Sequence, residues 1–508
     1  MQSRGRPDVA SSRDAFAAVE SALERSHLAQ AEELLSGLED PAAPHALVLS
    51  GKLHLLRDDA PATIRILSNQ HFADRRLQMQ RALLLGAAHS RVGDFDAADE
   101  YFDAAEEIAK HDPETLAEIA YRRGRRYGYA GDVDRARRQL AAASQAESAA
   151  SKLHAMQLEG FIYGLERRYA EQAGVLARML EQIDPDDERY AMEAAFATFT
   201  LAVLGRELHL PHVIPIVERQ LQACKWPAEL NVPRFQALKA LGWTYALHGD
   251  YFTAFRYLKK SMAYAPSPAW QAISALDRAY LARCLNEERW SCQELSEAED
   301  LAEAVDWRST RNEERVALLL LAELSAATDA GRAAEYMAMF RDLGDFHVPQ
   351  LQVFHDDRLQ AQAGYSAGVV QLALGNAKSG AKLMRESFAV YDAIGYDWRA
   401  GRCALRLFEA TGEEQFLRIA GEKLRYYPKS WLADDLRRHT SGKHAQPVLP
   451  PMQQRVFEEL CKGLSTAQIA ANLGRSEYTI KNHIKLIFKA FGVKSRAALI
   501  AQVVKHKE

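Results

Sequence analysis

Through residues 13–435 apolar side chains recur every three to four positions, with small residues at fixed places and short Gly-Asp or Gly-Asn breaks between runs. That spacing predicts amphipathic helices separated by tight corners. Four breaks share one frame. The first is Gly86…His89…Gly93-Asp94-Phe95…Ala98…Phe102…Ala105, and the second is Gly124…Tyr127…Gly131-Asp132-Val133…Ala136…Leu140…Ala143. The third is Gly242…Tyr245…Gly249-Asp250-Tyr251…Ala254…Leu258…Ser261…Pro266, and the most altered is Gly368…Gln371…Gly375-Asn376-Ala377…Gly380…Met384…Ser387. A small residue on a first helix lets a second approach closely, a large apolar group fills the gap, and the corner turns the chain. The first two corner glycines are 38 residues apart and Gly131 and Gly249 are 118 apart, which fits three steps of about 39, the length of a helix-pair repeat. A degenerate copy, Gly160…Tyr163…Tyr169…Leu176…Met179, falls in that interval, and residues 195–226 and 282–301 read as further pairs. The frame predicts about nine to eleven pairs stacked into a right-handed superhelix. Residues 1–12 are polar and expected to be disordered, and residues 439–447, polar with Gly442 and Pro447, read as a linker.

Beyond the linker the helical period returns with different punctuation. Ser465 is a good N-cap and Gln468 completes a capping box. Ile469, Ala470 and Leu473 give a short helix its apolar face, and Gly474 stands where the chain must turn through the left-handed region. Ser476 caps a second helix, with Glu477 at its positive end. Ile480, Ile484, Ile487, Phe488 and Phe491 face a core, while Lys481, Lys485 and Lys489 recur at i, i+4 and i+8 on another face. The combination predicts a helix-turn-helix able to enter a DNA major groove. Taken alone, the lysine stripe would also suit a solvated helix face.

Residues 449–504 resemble the DNA-binding domain of the LuxR/FixJ-type (GerE-like) bacterial regulators. Four blocks carry the resemblance: Gly-Leu-Ser-Thr-Ala-Gln-Ile-Ala at 463–470, Leu-Gly-Arg-Ser-Glu at 473–477, Thr-Ile-Lys-Asn-His-Ile at 479–484 and Phe-Gly-Val-Lys-Ser-Arg at 491–496. The resemblance implies that Lys481, Asn482 and Lys485 face base edges and that Ser465, Thr479, Lys494 and Arg496 lie near phosphates. Thr466, Ser476 and Lys489 complete the implied DNA-binding set. The last helix, about residues 496–505, resembles one that often dimerises such domains, and Leu499, Ile500 and Val503 give it an apolar strip, open to a dimer contact or to an internal core. The family's opening capping box is altered here to Pro450 and Gln453, which predicts a weaker entry to the domain's first helix. The body's frame resembles the tetratricopeptide repeat, best in the copy at Gly242, and its long units resemble those of large LuxR-type regulators with tetratricopeptide sensor regions. The expected fold class is all-α: a tetratricopeptide-like α-superhelix over residues 13–438, then a small four-helix LuxR-type helix-turn-helix domain over residues 448–508.

Charge divides the chain at the same place. Residues 447–508 hold ten Lys/Arg against four Asp/Glu; the whole chain is −4, so residues 1–446 carry −10. The basic tail suits nucleic acid, and the acidic body discourages non-specific binding along its length. The N-terminal residues lack the apolar core of a signal peptide, and the longest apolar run, residues 316–322, is too short to span a bilayer. A cytoplasmic protein is expected, nucleoid-associated when bound to DNA and with no membrane partner. Cys224, Cys284, Cys292, Cys403 and Cys461 show no close pair and read as reduced thiols, with an oxidation sensor as the alternative. No phosphate-cradling loop, HExxH, GxSxG or dinucleotide fingerprint occurs. Neither catalysis nor a cofactor is therefore expected, and the ATPase that often precedes the repeats in large regulators of this kind is not implied. His209 and His212 lack a third ligand, so no metal site is expected.

Two clusters in the body invite a functional reading. Arg122, Arg123 and Arg126 fall on a predicted first helix; they could hold an acidic partner segment in a concave groove, or pair with the body's own carboxylates. Trp243, Tyr245, Tyr251, Phe252 and Phe255 recur at repeat spacing and read as core. The whole reads as a bacterial DNA-binding transcriptional regulator, dimeric at least on duplex DNA and working with RNA polymerase, whose body receives a signal or a protein or peptide partner. The alternative is a tetratricopeptide-type interaction scaffold whose C-terminal domain serves dimerisation.

Overall fold

A computed structural model describes residues 12–223, 226–344, 356–440 and 451–491, together with Leu449, Val493, Ser495, Arg496 and Leu499. Among these residues all regular elements are helices, and the chain falls into two compact units, residues 1–432 and 433–508.

Twenty-two helices of the larger unit form eleven consecutive pairs. They are α1 (Ser12–Glu24) with α2 (Leu28–Ser36), α3 (Pro44–Leu56) with α4 (Ala60–Leu67), α5 (Arg75–Val92) with α6 (Phe95–Ala109), and α7 (Pro113–Tyr129) with α8 (Val133–Ala143). Next come α9 (Ala149–Leu165) with α10 (Tyr169–Gln182), α11 (Ala191–Glu207) with α12 (Ile214–Ala223), and α13 (Asn231–Leu247) with α14 (Tyr251–Met262). The last four are α15 (Pro268–Cys284) with α16 (Glu288–Glu303), α17 (Asn312–Ser325) with α18 (Ala330–Asp342), α19 (Asp356–Ala373) with α20 (Ala377–Ala393), and α21 (Asp397–Thr411) with α22 (Glu414–Leu424). α23 (Trp431–Thr440) follows, two residues into the stretch expected as linker.

The corners explain the Gly-Asp breaks. Gly93, Gly131 and Gly249 take positive φ, and Asp94, Asp132 and Asp250 behind them accept the backbone N–H of Ala97, Arg135 and Thr253 as N-caps. One dipeptide thus ends one helix and starts the next. Ten of the eleven pair corners hold a left-handed residue: Gly93, Gly131, Gly249, Gly375 and Gly412, and also Ser26, Asp58, Arg167, His209 and Asn286. The pairs then close on a second glycine. A Cβ at Gly51, Gly86, Gly242 or Gly368 would come within 2.5–2.8 Å of Leu67, Phe102, Leu258 or Met384, in each case the residue sixteen positions on. Such side chains have no room to retreat, so the first helix must be bare where the second crosses it.

First helices pack on first helices: α5 on α7, α7 on α9, α11 on α13, α15 on α17 and α17 on α19. The stack winds back on itself. The Ala29 amide donates to Glu229 at 2.9 Å, 200 residues away, and the Trp398 indole and Arg399 donate to Glu207, at 2.8 and 2.9 Å across 191 and 192 residues. Two contacts of nearly equal separation are what one turn of a superhelix produces. Phe252 departs from its core assignment and is 75% exposed. The buried face of α14 is Ala254, Leu258 and Ser261, and Phe252 lies roughly opposite in helical phase. Trp243 is buried as expected, its indole donating to Asp277 at 2.8 Å.

In the smaller unit α24 (Pro451–Cys461), α25 (Thr466–Leu473) and α26 (Glu477–Ala490) close around Val456, Phe457, Leu460, Ile469, Ile480, Ile487, Phe491 and Leu499. Leu499 is fully buried in this core, which settles its two readings in favour of internal packing; Ile500 and Val503 lie outside the described residues, as does Pro450. The fourth helix expected here falls mostly outside them too.

Glu207 sets the expectation for stability. It is 1% exposed and accepts from Arg206, Arg399 and Trp398. Burial by itself would raise its carboxyl pKa, but the guanidiniums of Arg206 and Arg399 outweigh that and hold it at about 2. Its folded pKa is below its unfolded one, so its contribution is present above about pH 4.5 and fades as pH falls toward 2. Glu207→Gln leaves two buried guanidiniums without their counter-ion and should cost about 3–5 kcal/mol. Denaturant titration at neutral pH checks this; a loss under about 1 kcal/mol would mean that the site is open to water.

Candidate nucleic-acid interface

The geometry of α25 and α26 follows from their caps. Ser465 Oγ accepts the Gln468 amide at 3.3 Å, and the Gln468 side chain accepts the Ser465 amide at 2.8 Å. This reciprocal box fixes the start of α25. Gly474 ends it at φ +61. Ser476 Oγ accepts the Thr479 amide at 3.2 Å and lies 2.8 Å from the Thr479 hydroxyl, which starts α26. Glu459 ties α24 to α25 by accepting from Asn472 at 2.9 Å, and it also accepts from Lys462 at 2.7 Å.

With α26 anchored by Ile480 and Ile487, its other face is left to solvent. Lys481, Asn482, Lys485 and Lys489 are all exposed there, with no hydrogen bond or ion pair among the described residues. Ser465 and Ser476 are exposed at the helix starts, and Thr466 and Thr479 are half-buried. Unpaired N–H groups at such starts, with lysines beside them, favour anions. Arg496 is partly committed internally, donating to the Leu460 carbonyl at 3.1 Å. Lys494 lies outside the described residues. Sequence reasoning passed over Tyr478, 75% exposed, and Leu486, 47% exposed. Tyr478 begins the lysine stripe, one helical turn before Lys481 and Asn482; the available signal was an aromatic residue out of phase with the buried isoleucines.

The arginines of the body sit differently. Arg122 donates to Glu118 on its own helix at 2.7 Å. Arg123 meets Asp103 at 2.6 Å and Glu106 at 2.8 Å, and Arg126 meets Asp99 at 2.7 Å and the Phe95 carbonyl at 3.1 Å. Arg126 is 7% exposed. The acids Asp99, Asp103 and Glu106 form one stripe of α6, so two of the three forks join α7 to its neighbour. Among the described residues no group of three His, Cys, Asp or Glu is arranged for a metal, and no helix is long and apolar enough to cross a membrane. Cys284, Cys292 and Cys403 are free thiols.

Residues 447–503 match the family described as bacterial regulatory proteins, luxR family. Spore germination protein GerE of Bacillus subtilis (strain 168) is 33% identical over 64 residues, which cover 13% of this chain and 86% of that protein. Among solved structures, similar helical arrays occur in the APC/C hetero-tetramer Cut9–Hcn1 (TM-score 0.36, 13% identity, 96% of this chain and 89% of that one). The apo form of RapI (TM-score 0.39) and a monomeric IFIT1 mutant with Gppp-AAAA (TM-score 0.41) are also similar, each at 13% identity over 85% of this chain and 99% of the other.

The free stripe on α26 leads to a direct expectation. Asn482→Ala should weaken binding to a preferred duplex by about 1–3 kcal/mol and relax preference at one base pair, as loss of a bidentate adenine contact does. Lys481→Ala with Lys485→Ala should weaken every duplex. Wild-type footprinting by the double variant would remove this face from the interface.

Proposed function

Residues 447–503 make this chain a member of the luxR family of bacterial regulatory proteins, and on that premise we propose that it is a transcriptional regulator that reads promoter DNA with α26. The observation that carries the proposal is the contrast in cations. The lysines of α26 are exposed and unpaired, whereas the arginines of α7 are paired within the chain. In the proposed division of labour residues 448–508 bind DNA, residues 13–438 receive a signal, and residues 439–447 link the two. Lys481, Asn482 and Lys485 meet base edges. Ser465, Thr466, Ser476, Thr479, Lys489, Lys494 and Arg496 serve the backbone or the helix ends that approach it. Tyr478 extends the reading face.

The proposed protein acts in the cytoplasm, on the nucleoid, with RNA polymerase as its effector. A protein or peptide partner of the helix pairs remains part of the proposal. An acidic segment at Arg122, Arg123 and Arg126 would have to compete with Glu118, Asp99, Asp103 and Glu106 for the same forks. A single small domain supplies few phosphate contacts, so the proposed DNA-bound form is a homodimer on a site with two-fold character. Because Leu499 is internal, the dimer contact must be sought elsewhere.

Titration of the full-length protein onto a labelled operator duplex should saturate at two protomers, with half-sites about one helical turn apart. The logarithm of affinity should fall linearly with the logarithm of salt concentration, by about 0.9 per phosphate contact. One protomer per duplex at saturation rejects the dimer. Affinity independent of salt rejects the DNA-binding reading and favours the scaffold.

A further inference from the structure

Among the described residues of the smaller unit two large hydrophobic side chains stand in solvent, Tyr478 at 75% and Leu486 at 47% exposed. Both lie on α26, and Asn482 falls midway between them in sequence. Residues four apart on a helix differ by about 40° in phase, so the three form one stripe. Lys481, Lys485 and Lys489 form a second stripe beside it. Ile480 and Ile487 are fully buried, and Tyr478 stands roughly opposite them in phase. Lys481 and Lys485 then take one flank of the exposed face, and Leu486 with the exposed Ala490 takes the other.

Single exposed apolar residues are common, but these two bracket Asn482 on a face otherwise suited to an anion. A second copy of the chain is a poor occupant. Residues 478–490 contain no Asp or Glu, so two such faces would set lysine against lysine with no carboxylate to offset the repulsion. The domain's own core is closed to them too, because α26 packs by the opposite side. The lysines suit duplex DNA. Its major groove offers one apolar substituent, the C5-methyl of thymine, and the other groups on the base edges there are hydrogen-bond donors and acceptors.

Resting on the DNA-binding reading above, we propose that Tyr478 and Leu486 read thymine through its 5-methyl group, on either side of an adenine held by Asn482. Four residues advance a helix by about 6 Å, roughly the rise of two base pairs. The two thymines therefore fall within about two base pairs of that adenine, and the half-site has an A·T-rich centre. The lysine stripe draws the helix to any duplex and loses strength with salt. A methyl contact is apolar, so the preference it confers is independent of salt even where the affinity is not.

The test starts from duplexes that the full-length protein selects from a random-sequence pool. Deoxyuridine then replaces each thymidine in turn, which removes the 5-methyl group and leaves the hydrogen-bonding edge intact. Wild-type affinity should fall about fourfold, the worth of one buried methyl, at two thymines flanking the adenine whose preference Asn482→Ala relaxes. The same fold loss should appear at low and at high salt. Leu486→Ala should bind thymidine and deoxyuridine duplexes alike at one of the two positions, and Tyr478→Ala at the other. Both side chains are exposed and alanine is the best helix former, so the fold should survive; the deoxyuridine scan changes no protein atom. A wild-type protein indifferent to every deoxyuridine would place these side chains on the sugar–phosphate wall and overturn the inference, with DNA binding itself intact. Methyl dependence that persists in both variants would overturn it as well. One protomer per duplex with Leu486→Ala, against two for wild type and with the methyl dependence kept, would make Leu486 a dimer contact instead. A pool from which no duplex is enriched would remove the DNA-binding reading and this inference with it.

Discussion

The bare backbone where two helices of a pair cross is the constraint on which the body depends. Gly51, Gly86, Gly242 and Gly368 each lie against the side chain sixteen residues later, at distances no Cβ could share. Close crossing lets the large residue fill the seam and brings successive pairs into register, so first helices pack on first helices. The stack can then wind far enough to bring Glu207 onto Arg399 and Ala29 onto Glu229. The buried charges near Glu207 are a consequence: first helices that would face a solvated groove in a wider superhelix face one another here.

The C-terminal unit uses the opposite economy of contacts. Its helices are short and its core small, so two serine caps and one glycine set the helix directions. Ile480 and Ile487 hold α26 from one side and leave Lys481, Asn482, Lys485 and Lys489 free on the other. On α7 of the body Arg122, Arg123 and Arg126 are spent on carboxylates of the same chain; on α26 of the tail Lys481, Lys485 and Lys489 are not. The surplus of six positive charges in residues 447–508 is therefore available to a partner that is itself anionic.

Local signals were legible in the sequence, and long-range ones were not. The Gly-Asp corners and the capping box at Ser465 depend on residues a few positions apart, and they appear in the structure as read. Half of the left-handed corners use Ser26, Asp58, Arg167, His209 or Asn286 in place of glycine. The geometry is the same at a cost of about 1–2 kcal/mol each, but the residue that announces it is missing, so the first two pairs went unremarked. Periodicity also misplaced Phe252, because repeat spacing does not report helical phase. The sequence left Leu499 open to a dimer contact or an internal core, and only the fold puts it inside. The network around Glu207 joins residues nearly 200 apart, beyond any local pattern.

Genome-wide mapping of sites bound by the full-length protein in living cells tests the central claim most directly. The account predicts discrete enriched sites upstream of genes, sharing a sequence with two-fold character, that vanish in the Lys481→Ala, Lys485→Ala protein while its abundance is unchanged. A profile without discrete sites, or one that persists in that variant, would contradict it.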